Sequence, residues 1–395
     1  MATLAVAALS ARALAEAAAD AGHSVLALDL FGDADTCSSA VRWWSLGDGD
    51  SPGIAAGPLC SALRLAAAHY GAIGWIPGSG FEADPALLDA GAALLPLIGN
   101  PAAVWARVRD PQLFFGCLDT HGVPHPQVRR EPPAAAEGWL LKDSTGCGGG
   151  RIRPVGARTA ASAPVETLPA SACYQRVMPG RPVSVTFIAN GREAVVLGFN
   201  EQRVQAMADQ PYVFAGVVGP VTLPAAADYG LRRALAVLVA EFGLRGLGSL
   251  DAMLDGDDIG VLELNPRPSA SLSLYPRCGD QGVIDAHLRA CLDGRVPLPP
   301  ARRSAVGGQA IVYAPRTLQV DAALARRLAV WPGARDLPRP GSRVSAGDPL
   351  CSLDASGSDA ASVHACLDAE TERLLALLAS LPGARGDGAA TDPPR

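Results

Sequence analysis

Over the first hundred residues, apolar runs of strand length alternate with amphipathic stretches. Leu4 to Leu9, Val25 to Leu30 and Ile73 to Pro77 are the runs, and helical spacing recurs at Arg12 to Ala21, Leu59 to Tyr70 and Pro85 to Leu95. Strand and helix alternating at this distance predict a parallel sheet with crossover helices, an α/β unit. Ligands in such sheets lie beyond the carboxyl ends of strands. The loops Asp29 to Asp35 and Gly78 to Glu82 occupy that position, and both are also rich in ordinary turn residues. From Asn100 the pattern changes. Helical segments at 102–109 and 112–121 precede short strands at 139–142, 151–155, 173–178, 183–189 and 194–199. A long amphipathic helix at Ala225 to Phe242 follows, then a hairpin of Gly248 to Leu254 and Ile259 to Leu264 across Asp255-Gly256-Asp257-Asp258. Beyond Arg302 come strands near 309–313 and 349–353 and a helix at 359–380.

Composition narrows the class. With 395 residues, 49% hydrophobic and 18% charged, the chain can bury two or three cores. Charged residues, Gly or Pro interrupt every apolar run before the roughly 18 to 20 residues that a membrane span needs, so a soluble, cytoplasmic chain without a membrane partner is expected. The opening stretch lacks a basic start and reads as part of the fold rather than a leader. A net charge of −6 offers no basic footprint for nucleic acid. Nine scattered cysteines without a Cys-x-x-Cys pair predict free thiols, and the six dispersed histidines form no metal-binding face.

Of the 33 basic side chains, Lys142 alone is lysine. Where Arg replaces Lys throughout, a retained ammonium marks a place that needs a compact point charge. Lys142 stands just before Gly146-Cys147-Gly148-Gly149-Gly150, four glycines in five positions between two predicted strands. Such a loop can turn its amides toward a phosphate. It is not a Walker motif, in which Lys follows the glycines, and no dinucleotide fingerprint follows the first strand.

The hairpin carries the second group. On an extended strand Glu263 and Asn265 share one face, and a turn near 257 sets Asp251 across from Glu263. Two carboxylates and an amide oxygen are hard ligands suited to Mg²⁺. Arg267, just beyond, can hold a phosphate or a developing oxyanion with its planar fork.

A Lys before a Gly-rich strand loop, a Gln175-x-x-x-Pro179-Gly180 linker and an Asp…Glu-x-Asn-Pro-Arg hairpin together resemble the ATP-grasp superfamily, over roughly residues 100 to 300. The segments LSARALAEAAADAG, ALDLFGDADT, GSGFE, VRDPQLFF and LELNPRPSASL look like its predicted ATP-dependent carboligases related to biotin carboxylase. That subgroup is similar to the tyramine–glutamate ligases of methanofuran-type cofactor synthesis. The resemblance implies two α+β lobes closing on ATP, preceded by a parallel-sheet α/β domain and followed by a small extension. Its divisions are 1–99, 100–178, 179–300, 301–383 and a flexible tail at 384–395. It implies that Lys142 meets the α and β phosphates, that Gly146, Gly148, Gly149 and Gly150 cover the β and γ phosphates, and that Gln175, Arg176, Val177 and Met178 meet adenine. Asp251, Glu263 and Asn265 would hold Mg²⁺, with Mn²⁺ as a substitute. Two departures stand out. The family's second phosphate lysine is replaced by Arg109 or Arg107, and Arg181-Pro182 stands where a ribose-binding Glu is usual.

The implied reaction joins a small-molecule carboxylate, such as glutamate, to a small amine through an acyl phosphate, with Arg267 and Lys142 as the catalytic cations. The rivals are a bicarbonate-activating carboxylase and a non-catalytic ATP-binding protein. The first would need a carboxybiotin carrier or a purine acceptor, and any carrier would be a separate protein, since the chain has no second lysine to biotinylate. Many enzymes of this kind are homodimers, an assembly that composition does not measure.

Overall fold

The computed structural model describes residues 1–47, 53–156, 168–208, 210–299 and 305–381; the expected tail at 384–395 lies outside them. The three apolar runs at the N-terminus form strands β1 (Thr3–Ala7), β2 (Ser24–Asp29) and β4 (Ala72–Pro77), and β3 (Arg42–Ser45), a partly exposed edge strand outside those runs, joins them. They make a wholly parallel sheet in the order β3-β2-β1-β4. Helices α1 (Arg12–Asp20), α2 (Ala34–Ser38) and α3 (Ala56–Tyr70) supply the crossovers, and α4 (Ala86–Ala92) follows the last strand. Parallel strands buried on both faces read as continuous hydrophobic runs, which is why this sheet was visible in the sequence. Leu26, Leu28, Leu63 and Trp75 fill one face, while Leu4, Val6 and Val25 pack through α1 toward the rest of the molecule.

Helices α5 (Ala102–Arg109) and α6 (Pro111–Thr120) lead into a four-stranded sheet of β5 (Val128–Arg129), β6 (Trp139–Asp143), β7 (Ile152–Pro154) and β8 (Ala172–Arg176), in the order β5-β8-β6-β7. Pro111 opens α6, and the Asp110 carboxylate accepts from the Gln112 and Leu113 amides. The glycine-rich loop joins β6 to β7.

An eight-stranded sheet follows. Strands β9 (Arg181–Asn190), β10 (Ala194–Met207) and β11 (Gln210–Val221) precede α7 (Ala225–Phe242), and β12 (Arg245–Asp255) and β13 (Asp258–Asn265) form the hairpin. After a 3₁₀ turn (Ala270–Leu274), β14 (Arg277–Cys278), β15 (Gln281–Gly282) and α8 (Val283–Leu292), the chain returns as β16 (Val306–Tyr313), β17 (Leu318–Gln319), α9 (Ala322–Ala329), β18 (Ala334–Arg335), β19 (Arg343–Val344), β20 (Pro349–Gly357) and α10 (Ala360–Ser380). The sheet order is β13-β12-β9-β10-β11-β16-β20-β18, so the strands near the C-terminus extend the same sheet that carries the hairpin. On one face α7 buries Leu231, Leu235, Leu238 and Phe242 against Val185, Phe187 and Leu250. That stripe has helical periodicity, and Gly243 closes the helix in a left-handed conformation at φ 66°. On the other face α8 and α1 share a core with Tyr275 and Leu247. Helix α10 packs Val363, Leu367, Leu374 and Leu378 over β16 and β20.

The β11 strand went unread because Pro211, Gly216, Gly219 and Pro220 look like turn residues. Here the glycines serve close approach. A Cβ at Gly216 would run into the Gln309 carbonyl oxygen, and one at Gly219 into the Asn200 amide oxygen. Each of the nine cysteines is free. Among the described residues no helix is long and apolar enough to cross a membrane.

Candidate active site

The hairpin sets the geometry. Strands β12 and β13 pair antiparallel; the turn sets Asp255 against Asp258, and a one-residue register shift between Asp251 and Ala252 then brings Asp251 opposite Glu263 and Ser249 opposite Asn265. Asn265 and Arg267 are buried. Asp251 accepts from Gln202 Nε2 at 2.9 Å through one oxygen and from Asn265 Nδ2 at 3.1 Å through the other. Burial and then the Glu263 charge push the Asp251 carboxyl up, against Lys142 and Arg267.

Lys142 reaches this hairpin from β6. Its Nζ sits 2.6 Å from Glu263 Oε2 and 3.4 Å from the Leu262 carbonyl oxygen. Burial alone would raise Glu263, but Lys142 first, then Arg109 and Arg267, hold it below the usual carboxylate range. Of the two arginines left open by the sequence, Arg109 turns inward. Its Nε donates to the Ser144 carbonyl at 2.6 Å and its Nη2 to the Gly146 carbonyl, so it braces the glycine loop. Arg107 points outward, pairing with Glu241 and lying over the Phe242 ring.

Within the loop, Gly146 donates to the Asp143 carbonyl and Gly150 to the Cys147 carbonyl. Gly148 and Gly149 are left-handed at φ 64° and 77°, and their amides make no hydrogen bond among the described residues. A Cβ on Gly149 would collide with the Tyr212 carbonyl oxygen, and the Gly148 carbonyl accepts from the Phe214 amide at 2.9 Å. Only glycine permits this backbone to lie so close to β11.

Arg267 is held by a partner that the sequence did not single out. Its Nε donates to Glu82 Oε1 at 2.6 Å, its Nη1 to the Pro268 carbonyl at 3.1 Å and its Nη2 to Asn265 Oδ1 at 3.3 Å. Glu82 lies in the loop after β4 and also accepts from the Gly80 amide at 2.6 Å. Burial opposes its charge, yet Arg267 and then Arg109 keep its carboxyl low. The 78–82 loop lies at the carboxyl end of β4, where the sequence leaves both a ligand-facing loop and an ordinary turn open; a lone Glu in a turn carries no signal of its buried cation.

A single cavity of about 740 Å³ touches most of these groups. Lys142, Gly146, Gly148, Gly149, Gln175, Val177, Met178, Asp251, Glu263, Asn265 and Arg267 line it. Arg109, Gly150 and Arg176 do not. Arg176 turns out over Trp139, at 5.7 Å from the ring, and its amide donates to the Gln127 carbonyl. The Gln175 side-chain oxygen, Oε1, is buried and has no hydrogen-bond donor among the described residues, and Gln175 lines the cavity. Among the described residues no three His, Cys, Asp or Glu side chains gather as a metal cluster. The hairpin set is two carboxylates and one amide, oxygen donors only, a composition that fits a hard divalent cation completed by water and phosphate oxygens. The Asp251–Glu263 repulsion is what such a cation would relieve.

Residues 109–271 match the family model described as an ATP-grasp domain. The large chain of carbamoyl phosphate synthase from Thermoplasma volcanium is 25% identical over 118 residues, 29% of this chain but only 11% of that protein's length. Among solved structures, an L-amino acid ligase from Bacillus licheniformis superposes with a TM-score of 0.68 at 14% identity, covering 94% of this chain and 97% of its own. A biotin carboxylase–β,γ-ATP complex from Campylobacter jejuni gives 0.69 at 15% identity, covering 96% and 95%. The architecture is therefore a mixed α/β ATP-grasp fold with an N-terminal parallel sheet.

Proposed function

We propose that this chain, whose residues 109–271 form an ATP-grasp domain, is an ATP-dependent ligase joining a carboxylate to an amine. The observation that carries the reading is one cavity bordered by the chain's single ammonium, two unbonded glycine amides, and two carboxylates with an amide oxygen. The unpartnered Gln175 oxygen adds to it, because it can accept from an amino group such as that of adenine.

In this reading Lys142 and the Gly148 and Gly149 amides bind the phosphates, and Arg109 keeps the loop in place. Asp251, Glu263 and Asn265 hold Mg²⁺, which supplies charge neutralisation and alignment of the phosphate oxygens. A substrate carboxylate oxygen attacks the γ-phosphorus and ADP leaves. The amine nitrogen then attacks the acyl carbon, loses its proton, and phosphate departs. Arg267 stabilises the oxyanion of that second step, with Glu82 fixing its fork. The protein's work is positioning and charge, without a covalent enzyme intermediate.

The Bacillus ligase with a similar fold is described as acting on L-amino acids, which favours an amino acid as the carboxylate. Glutamate with a tyramine-like amine, in a methanofuran-type pathway, is the first pair to assay. ADP release from ATP and Mg²⁺ across a panel of amino acids and amines tests the proposal. Release that needs both partners is expected; none with any pair would overturn it. The second reading, a bicarbonate-activating carboxylase, rests on the biotin carboxylase and on the carbamoyl phosphate synthase segment. Bicarbonate-dependent ADP release without any amine would favour it.

A further inference from the structure

The cavity has a second wall, built from the turn after β2 and the segment after β18. Asp33, Arg12 and Asp336 line it. The acids there are partnered, with one exception. Asp29 accepts from the Ala11 and Gly32 amides and from Trp43 Nε1 at 2.8–3.0 Å. Asp35 accepts from the Asp336 and Leu337 amides at 2.7 and 3.1 Å. Asp336 receives Arg12 Nε at 2.8 Å and Ser352 Oγ at 2.6 Å. Arg12 Nη1 donates to Glu16 at 2.7 Å, and Arg12 Nε also lies 3.9 Å from Asp35 Oδ2.

Asp33 is the exception. It is 8% exposed and lines the cavity, and its carboxylate has no hydrogen bond or ion pair among the described residues, although it stands where an N-cap would bond. Burial first, then Asp336, Asp29 and Asp35, push its carboxyl up to about 8, with Arg12 opposing. Ionising this carboxyl without a donor is costly, so it keeps its proton, and a cation arriving through the cavity would remove that cost and release the proton to solvent. The neighbouring acids already spend their oxygens on donors, so this wall offers one carboxylate, which suits a compact organic cation better than a metal ion that needs several ligands. Phe31, two residues away and 48% exposed, also lines the cavity and offers a ring face to such a group.

We propose that Asp33 receives the positively charged nitrogen of the amine substrate, so that the chain takes small alkyl- or arylalkylammonium ions rather than neutral acceptors. This rests on the ligase reading for the cavity's use, and its test is separate from nucleotide binding.

The test is titration calorimetry on the full chain with cadaverine and tyramine, against the matched neutral alcohols 1,5-pentanediol and tyrosol. The wild type, Asp33→Asn and Asp33→Ala are compared, each checked by melting, with MgADP titrated in parallel. Saturable binding of at least one amine and of neither alcohol is expected. Each variant should weaken the amine about tenfold or more and leave MgADP within about twofold. No amine binding to the wild type, equal binding to the variants, or alcohols bound as well as amines would each overturn the proposal. Loss of the MgADP response alone would strike the nucleotide reading instead.

Discussion

Lys142 Nζ and Glu263 Oε2 are 2.6 Å apart, so the single lysine of one sheet already touches the hairpin carboxylate of the other. The contact explains why the two residues should fail differently. Lys142→Ala removes the ammonium proposed to bind phosphate and leaves Glu263 facing Asp251 without its counter-charge. Nucleotide affinity should fall about a hundredfold or more by calorimetry. Glu263→Gln keeps the shape and removes a charge proposed to hold Mg²⁺. ADP release should then drop about a hundredfold while MgADP affinity changes by less than about tenfold. Wild-type behaviour in either variant would break the assignment of the site.

Arg267 and Glu82 form a buried ion pair across two sheets, and each is the other's main counter-charge. Removing one partner strands a charge, typically at a cost of about 3–5 kcal/mol. Glu82→Leu and Arg267→Met should each lower the melting temperature sharply. The double variant should recover part of the loss while remaining inactive. Additive losses in calorimetric melts would contradict the coupling.

Gly149→Ala places a methyl against the Tyr212 carbonyl at a left-handed backbone. The loop must move to admit it. An increase of at least about tenfold in KM for ATP is expected, with a smaller change in global melting, because strain of about 1–3 kcal/mol falls on the loop. An unchanged KM would argue that the loop does not cover the nucleotide.

Asp33 gives a pH signature of defined sign. Its folded carboxyl, near 8, stands well above the reference value of 3.8. Between these values the folded chain keeps a proton that the unfolded chain has lost, so stability falls as pH rises, by at most about 1.4 kcal/mol per unit. Below about 4 both states are protonated and the difference vanishes. Asp33→Asn should therefore melt higher than wild type at pH 8 and nearly level with it at pH 4. The difference between the two melting curves isolates this residue; a variant less stable than wild type at pH 8 would refute the account.

Asn100 bridges the hairpin to the helices before it. Its amide donates to the Arg245 and Pro266 carbonyls at 2.9 and 2.8 Å and accepts from the Arg245 amide at 2.8 Å. Asn100→Ala leaves three backbone groups unsatisfied beside Asn265 and Arg267. About 2–4 kcal/mol of stability should be lost, with a lower kcat even at temperatures where the variant is folded. Denaturant titration and initial rates check both.

Local periodicity made much of this molecule readable. The α7 stripe, the parallel strands and the hairpin that sets Asp251 against Glu263 each depend on spacings of a few residues. What could not be read depends on distance along the chain. Asp35 and Asp336 are 301 positions apart, and nothing near either foretells their contact. Glu82 likewise gains its meaning only from Arg267. The glycines of β11 misled because close approach and turning require the same residue, and the two become distinguishable only when the neighbouring strand is present.

The sharing of one sheet by the hairpin and the C-terminal strands has a practical corollary for recombination. Val306 to Tyr313 bonds directly to β11, and Asp336 beyond it docks on the turn after β2. A graft of residues 109–271 into a foreign host would carry the wall of Lys142 and the hairpin and abandon the one that holds Asp33 and Asp336. Moving the whole cavity between relatives calls for crossover points before Thr3 and after Gly357, so that both walls are inherited together.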